Sequence, residues 1–223
     1  MNSLIITIDG PAGSGKTTVA KTLAKTLKLD LLESGSFYRY VTWCLLKEQK
    51  NINNFSTDED LKNYLKEIFN KINISLSSDG TNLIFNGKVL KEELRAKEVD
   101  NYVSEVAAHP LVREEVTQFL RRLVEGRRVI TEGRDMGSVV FPEASLKIYL
   151  TADLEERARR RAKDVPDRDL VEVKKNLLER DLKDSKREVA PLRIPEGAII
   201  IDTTHLSLNE VVQKIEKLIK ERL

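Results

Sequence analysis

The chain has 223 residues, 33% of them charged and 40% hydrophobic, with 38 Lys and Arg against 36 Asp and Glu for a formal net charge of +2. That length buries a core unaided and fits one domain with small insertions, while the balanced charge supplies no global field for nucleic acid or an anionic membrane. No apolar stretch approaches the roughly 18 residues needed to span a bilayer, the amino terminus lacks a signal-peptide pattern, and the lone Cys44 excludes an intramolecular disulfide. The expectation is a soluble cytoplasmic protein that engages neither nucleic acid nor membrane.

In chain order, the first element is an apolar strand, Leu4-Ile5-Ile6-Thr7-Ile8. Gly10-Pro11-Ala12-Gly13-Ser14-Gly15-Lys16-Thr17 follows, then a helical pattern with Val19, Leu23 and Leu27 on one face. The loop matches G-x-x-x-x-G-K-[ST] in the strand–loop–helix context the motif requires. Its glycines let successive backbone N–H groups turn towards phosphate oxygens, and the helix adds its positive dipole end. Lys16 then reaches the β- and γ-phosphates, and the Thr17 hydroxyl is placed to ligate Mg2+. A nucleoside triphosphate site is expected here.

Further apolar runs predict strands over Asp30–Leu32, Arg128–Thr131, Leu146–Leu150 and Ala198–Asp202. They are continuous rather than alternating, as expected of parallel strands covered on both faces, so the fold class is α/β with a central parallel sheet. From Lys71 the period changes to two through Ile72, Ile74 and Leu76, then Leu83-Ile84-Phe85 and Val89-Leu90. Asp79-Gly80 and Asn86-Gly87 separate these runs and predict type I′ turns, hence three short antiparallel strands. Pro110 opens a helix carrying Val112, Val116, Leu120 and Leu123, and Gly126 closes it. Glu155 to Arg187 is helical and arginine-rich, broken at Asp164-Val165-Pro166-Asp167 into two helices joined by a short loop. Ser207-Leu-Asn-Glu210 is a capping box that opens the last helix.

Two segments follow core strands at the sheet edge where open α/β folds bind ligands: Ser34-Gly35-Ser36-Phe37-Tyr38-Arg39 and Glu132-Gly133-Arg134-Asp135-Met136-Gly137. Arginines and carboxylates there suit a second anionic substrate facing the phosphate loop. Arg180, Asp184 and Arg187 share one helix face by i, i+4, i+7 spacing, which equally describes a plain salt-bridge ladder. His109, His205 and Cys44 fall in no catalytic motif.

DGPAGSGKTT, LLESGSFYR, VSEVAAHPLVR, ITEGRDMGSVVFP and RDLKDSKREVAPL, in this order and spacing, resemble the bacterial-type cytidylate kinases of the nucleoside monophosphate kinase superfamily. The resemblance implies a P-loop NTPase three-layer core over 1–33, 104–153 and 188–223. It also implies a monophosphate-binding domain over 34–103, holding the antiparallel insertion, and a helical lid over 154–187. The implied reaction moves the γ-phosphate of ATP to CMP or dCMP with Mg2+, in a protein that is a monomer.

Carried over by position, Gly10 through Thr18 hold the ATP phosphates, with Arg160 a further ATP contact beside Arg157 and Arg161. Arg39, Arg134 and Arg180 hold the CMP phosphate and the transferring group. Ser104, Arg113 and Asp135 read the cytosine edge; Ser34 and Asp184 contact the nucleotide, and Arg187 closes with the lid. Lys16, Arg134 and Arg180 are the expected catalytic residues. Glu132 is a candidate for ordering metal-bound water. The residues alone leave open another acceptor, such as AMP, UMP or shikimate, and a binding module without catalysis.

Overall fold

Five parallel strands form the central sheet in the order β2-β6-β1-β7-β8: β1 Leu4–Asp9, β2 Asp30–Glu33, β6 Arg128–Gly133, β7 Leu146–Thr151 and β8 Ile199–Asp202. A computed structural model of the chain describes residues 3–164 and 169–222. On β1, β2 and β6 neighbouring side chains enter different cores, which is why these strands read as continuous apolar runs. The expectation is corrected for β7, where Lys147 and Tyr149 between the buried residues are only half-buried, and for β8, where Ile200 is exposed, so these two strands bury one face. Ile6, Ile8, Leu31 and Ile130 join one buried cluster, reaching Val19 and Leu23 of α1 (Lys16–Leu27) and Val212 and Ile215 of α8 (Leu208–Arg222). Leu32 and Val129 join the opposite cluster, with Phe37 of α2 (Ser34–Lys47) and Val116 of α5 (Pro110–Leu123).

That second cluster continues into α3 (Asp58–Asn70), α4 (Lys97–Val106) and Leu83 of the small sheet, with Phe69 stacked on Phe119 at 4.5 Å. The small antiparallel sheet comprises β3 Ile72–Ser77, β4 Gly80–Phe85 and β5 Lys88–Val89. Thr81 fastens it to the edge of the main sheet: its hydroxyl donates to the Leu31 carbonyl at 2.8 Å and accepts the Glu33 N–H at 2.8 Å.

Asn86 and Gly87 have φ of 50° and 77°, as the expected type I′ turn requires. The Asp79-Gly80 expectation is corrected. Ser77 pairs directly with Gly80, so the two loop residues are Ser78 and Asp79, and of the expected pair only Gly80 has a positive φ. The Ser77 hydroxyl accepts the Asp79 N–H at 3.2 Å and closes this turn by a side-chain bond instead.

Two helices, α6 (Leu154–Asp164) and α7 (Leu170–Ser185), form the arginine-rich region. The expected break falls mostly at 165–168, outside the described residues, as does Arg168; Asp164 ends α6. The capping box before α8 is present, with Ser207 N–H donating to Glu210 at 2.8 Å and Glu210 N–H to the Ser207 hydroxyl at 3.3 Å. No helix among the described residues is long and apolar enough to cross a membrane.

Candidate active site

Strand β1 is the middle of the sheet, so the loop after Asp9 opens at the carboxyl edge between strands, where ligands bind in such folds. Gly10 has φ of 146°, and a Cβ there would lie 2.0 Å from the Leu150 carbonyl oxygen, so no other residue fits that turn. Residues Ala12 through Thr18 line a cleft of about 540 Å³, faced by Arg160 and Arg161 of α6. Gly10 and Pro11 are buried and shape the loop from behind, without lining the cleft. Lys16 Nζ donates to the Pro11 carbonyl at 2.7 Å, folded onto its own loop. Burial, reinforced by Arg134, draws its pKa down from the ordinary lysine value to about 7, while Glu132 and Asp9 act the other way.

A smaller cavity of about 100 Å³ adjoins the cleft. Ser34, Arg39, Ser104, Arg113, Arg134, Asp135, Arg180, Asp184 and Arg187 all line it, although they come from α2, α4, α5, the β6 end, α7 and the segment after α7. The two spaces share Gly35, Arg39, Glu132, Arg134 and Arg180. Three guanidinium groups therefore stand where the two spaces meet.

Within this cavity the charges are already arranged. Asp184, 2% exposed, accepts Arg134 Nε at 2.9 Å and is paired with Arg187 through its other oxygen. Arg39 donates to the Leu94 carbonyl at 2.7 Å and pairs with Asp100 at 2.5 Å. The Ser34 hydroxyl donates to the Glu132 carbonyl at 2.8 Å, which leaves its lone pairs for a ligand. Arg180 makes no hydrogen bond or ion pair among the described residues; burial, then Arg134, lower its pKa to about 10.

The expectation that Arg180, Asp184 and Arg187 share a helix face is corrected at its last member. Helix α7 ends at Ser185, and Arg187 reaches back to Asp184 from beyond it. A plain ladder along one helix is also absent, because the partner of Asp184 at Nε is Arg134, 50 residues away.

The arginines of α6 divide. Arg160 Nη1 and Nη2 hold Thr203 at 2.9 and 2.7 Å at the cleft wall, with Arg161 also lining it. Arg157 turns inward, donating to the carbonyls of Ala152 and Ala12, each at 3.0 Å.

Sequence reasoning missed three supporting residues. Asp9, wholly buried, accepts the backbone N–H groups of Met136 and Gly137 at 2.8 and 2.7 Å, and burial raises its pKa to about 6. Thr203 follows β8 and touches the Ser14 carbonyl at 3.5 Å, and its place at a strand's carboxyl end was a usable signal. Asp181 accepts the Ala12 N–H at 3.2 Å, and nothing local distinguishes it from other helix carboxylates.

A phosphate loop on the central strand, opening onto an arginine-lined acceptor cavity under a helical cover, defines a small-molecule kinase of the P-loop type. Residues 6–221 match the cytidylate kinase family model. A cytidylate kinase of Thermosipho melanesiensis is 41% identical over 221 residues, covering 97% of each chain. One from a Geobacillus species is 41% identical over 227 residues, covering 100% of this chain and 99% of its own. The solved structure of an uncharacterized protein from Eubacterium ventriosum aligns with a TM-score of 0.54 at 14% identity, covering 99% of this chain and 100% of its own, a likeness of fold alone. The chain belongs to the cytidylate kinase family.

Proposed function

We propose that the protein transfers the γ-phosphate of ATP to CMP or dCMP, giving ADP and CDP or dCDP. The observation that carries this reading is the junction of the two cavities at Arg39, Glu132, Arg134 and Arg180. ATP occupies the larger cleft with its phosphates on Gly13 to Thr18, and CMP occupies the smaller cavity. A CMP phosphate oxygen attacks the γ-phosphorus while the bond to the β-phosphate oxygen breaks, and ADP leaves. No side-chain base is needed, because that phosphate is already ionised near neutral pH. The chain's contribution is alignment of the two phosphates and cancellation of their repulsion by Lys16, Arg39, Arg134 and Arg180.

The donor set suits Mg2+. Thr17 is exposed at the head of α1 beside Glu132, and no group of three or more His, Cys, Asp or Glu residues gathers among the described residues. An ion that keeps several waters and binds mainly through substrate phosphates matches that sparse protein contribution. Thr17 would hold it, with Glu132 ordering its water, and when bound it neutralises charge on the β- and γ-oxygens.

Residues 34–103 act as the monophosphate-binding domain and 154–187 as the lid over a core formed by the rest, and both covers close to keep water from ATP. The protein acts on small-molecule substrates as a monomer. A coupled assay with ATP against CMP, dCMP, UMP and AMP tests the reading. CMP and dCMP are expected to be good acceptors, UMP clearly poorer and AMP negligible; preference for AMP or UMP would overturn it.

A further inference from the structure

We propose that Arg157 and Asp181 form a latch on Ala12 that aims Arg180 into the site, making both positioning residues for phosphoryl transfer. Ala12 belongs to the phosphate loop, yet both its backbone polar groups are held by lid side chains. Its N–H donates to Asp181 Oδ1 at 3.2 Å and its carbonyl accepts Arg157 Nη1 at 3.0 Å. Arg157 and Asp181 pair with each other at 2.5 Å with little exposure, 10% and 19% of their side chains. Arg157 Nε donates to the Ala152 carbonyl, just past β7, so the latch is tied to the sheet as well as the loop.

Packing agrees with the polar contacts. A Cβ on Gly13 would lie 2.9 Å from the Arg157 carbonyl oxygen, so α6 touches the loop backbone directly. Ala12 also shares a small buried cluster with Ala158, Val173 and Leu177 of the two lid helices. This end of the lid is therefore seated on the loop.

Arg180 precedes Asp181 on α7, and consecutive helix residues project about 100° apart. With Asp181 fastened to the loop, Arg180 is directed to the junction of the two cavities. It has no hydrogen bond or ion pair among the described residues; Arg134 and Arg39 repel it, while Asp184 and Asp100 attract it without bonding it. Unbonded attraction does not fix the direction of a long side chain, so its aim depends on where its backbone is held. The latch holds the backbone.

The inference rests on the reading that Arg180 stabilises the transferring group, and a double-mutant cycle separates the two. Steady-state kcat and KM for CMP and ATP would be measured for the parent, Asp181→Asn, Arg180→Ala and the double variant, with thermal melts alongside. Asp181→Asn is expected to lower kcat roughly 10- to 100-fold, the scale of a misplaced catalytic group, with KM for CMP changed less than about threefold. In the Arg180→Ala background the same substitution should lower kcat less than about threefold further, because the two act as a unit. An equal loss in both backgrounds, or a single variant within about threefold of the parent, overturns the latch while leaving the reading of Arg180 intact. An Arg180→Ala enzyme of normal kcat overturns that reading, and the latch with it. Arg157→Lys, which keeps the charge but loses the fork to Ala12 and Ala152, should show the same coupling if Asp181→Asn does not fold.

Discussion

Arg113 and Asp135 form an ion pair almost sealed from solvent, with 3% and 2% of their side chains exposed. Arg113 also donates to the Ala107 carbonyl at 2.9 Å and stands over the Tyr38 ring at 5.2 Å, while its Nε is buried without a partner. Two of the three residues expected to read cytosine are therefore one unit, and both line the smaller cavity together with Ser104.

Cytosine presents ring-nitrogen and carbonyl acceptors beside an amino donor, and uracil reverses part of that order. Sites built to hydrogen-bond a substrate reject a mismatched analogue by up to about 10⁴–10⁵. Asp135→Ala should erode both the rate and the CMP/UMP ratio. It should also destabilise the fold by about 3–5 kcal/mol, since it strands a buried guanidinium. Asp135→Asn keeps the volume and separates recognition from stability. The check is kcat/KM for both nucleotides in each variant, and an unchanged ratio would show that the base is read elsewhere.

Arg39, Arg134 and Arg180 are expected to act on one anion. Each change to Ala should cost roughly 2–4 kcal/mol in transition-state terms, as for other lost electrostatic donors. Arg134 carries an added role, since it holds Asp184 and through it Arg187. Pairs should be non-additive, and Arg-to-Lys changes should also impair turnover because a point charge does not replace a fork. Strictly additive losses in the cycles would place them at separate sites.

Lys16→Ala should leave the fold intact and lower turnover at least about a hundredfold. The same residue sets a pH dependence. Burial lowers its pKa to about 7 in the free protein, and an arriving triphosphate raises it again. Between the free and bound values the complex holds more protons than its separated partners, so ATP affinity should fall as pH rises above neutrality and level off below it. Calorimetric titration with ATP alone across that range, in buffers of different ionisation enthalpy, should show proton uptake. Affinity rising with pH would contradict the assignment.

Closure should be visible in hydrogen exchange. ATP with CMP is expected to protect amides over 58–100 and 154–187 much more than those of the core strands. The Thr81 N–H, already bonded to Glu33 at 3.1 Å, should be slow without ligands. Uniform protection, or none, would leave the small sheet and the α6–α7 pair as fixed parts of the fold.

Local chemistry made much of this protein legible in its sequence. The phosphate loop, the Asn86-Gly87 turn, the Ser207–Glu210 cap and the doubly covered β1, β2 and β6 each depend on neighbours in the chain, so residue type and spacing suffice. The single buried face of β7 and β8 followed instead from their packing. The ordered motifs even assembled the acceptor cavity, because each lies at the carboxyl end of a strand or on a helix facing it. What the arginines do was not legible. Arg157 turns to the loop and Arg160 to Thr203 from the same helix, and Arg180 makes no hydrogen bond or ion pair among the described residues while Arg134 takes Asp184. Asp9 binds amides 127 and 128 residues away. A long charged side chain settles where desolvation is offset by its partners, and those partners arrive only when distant segments fold together.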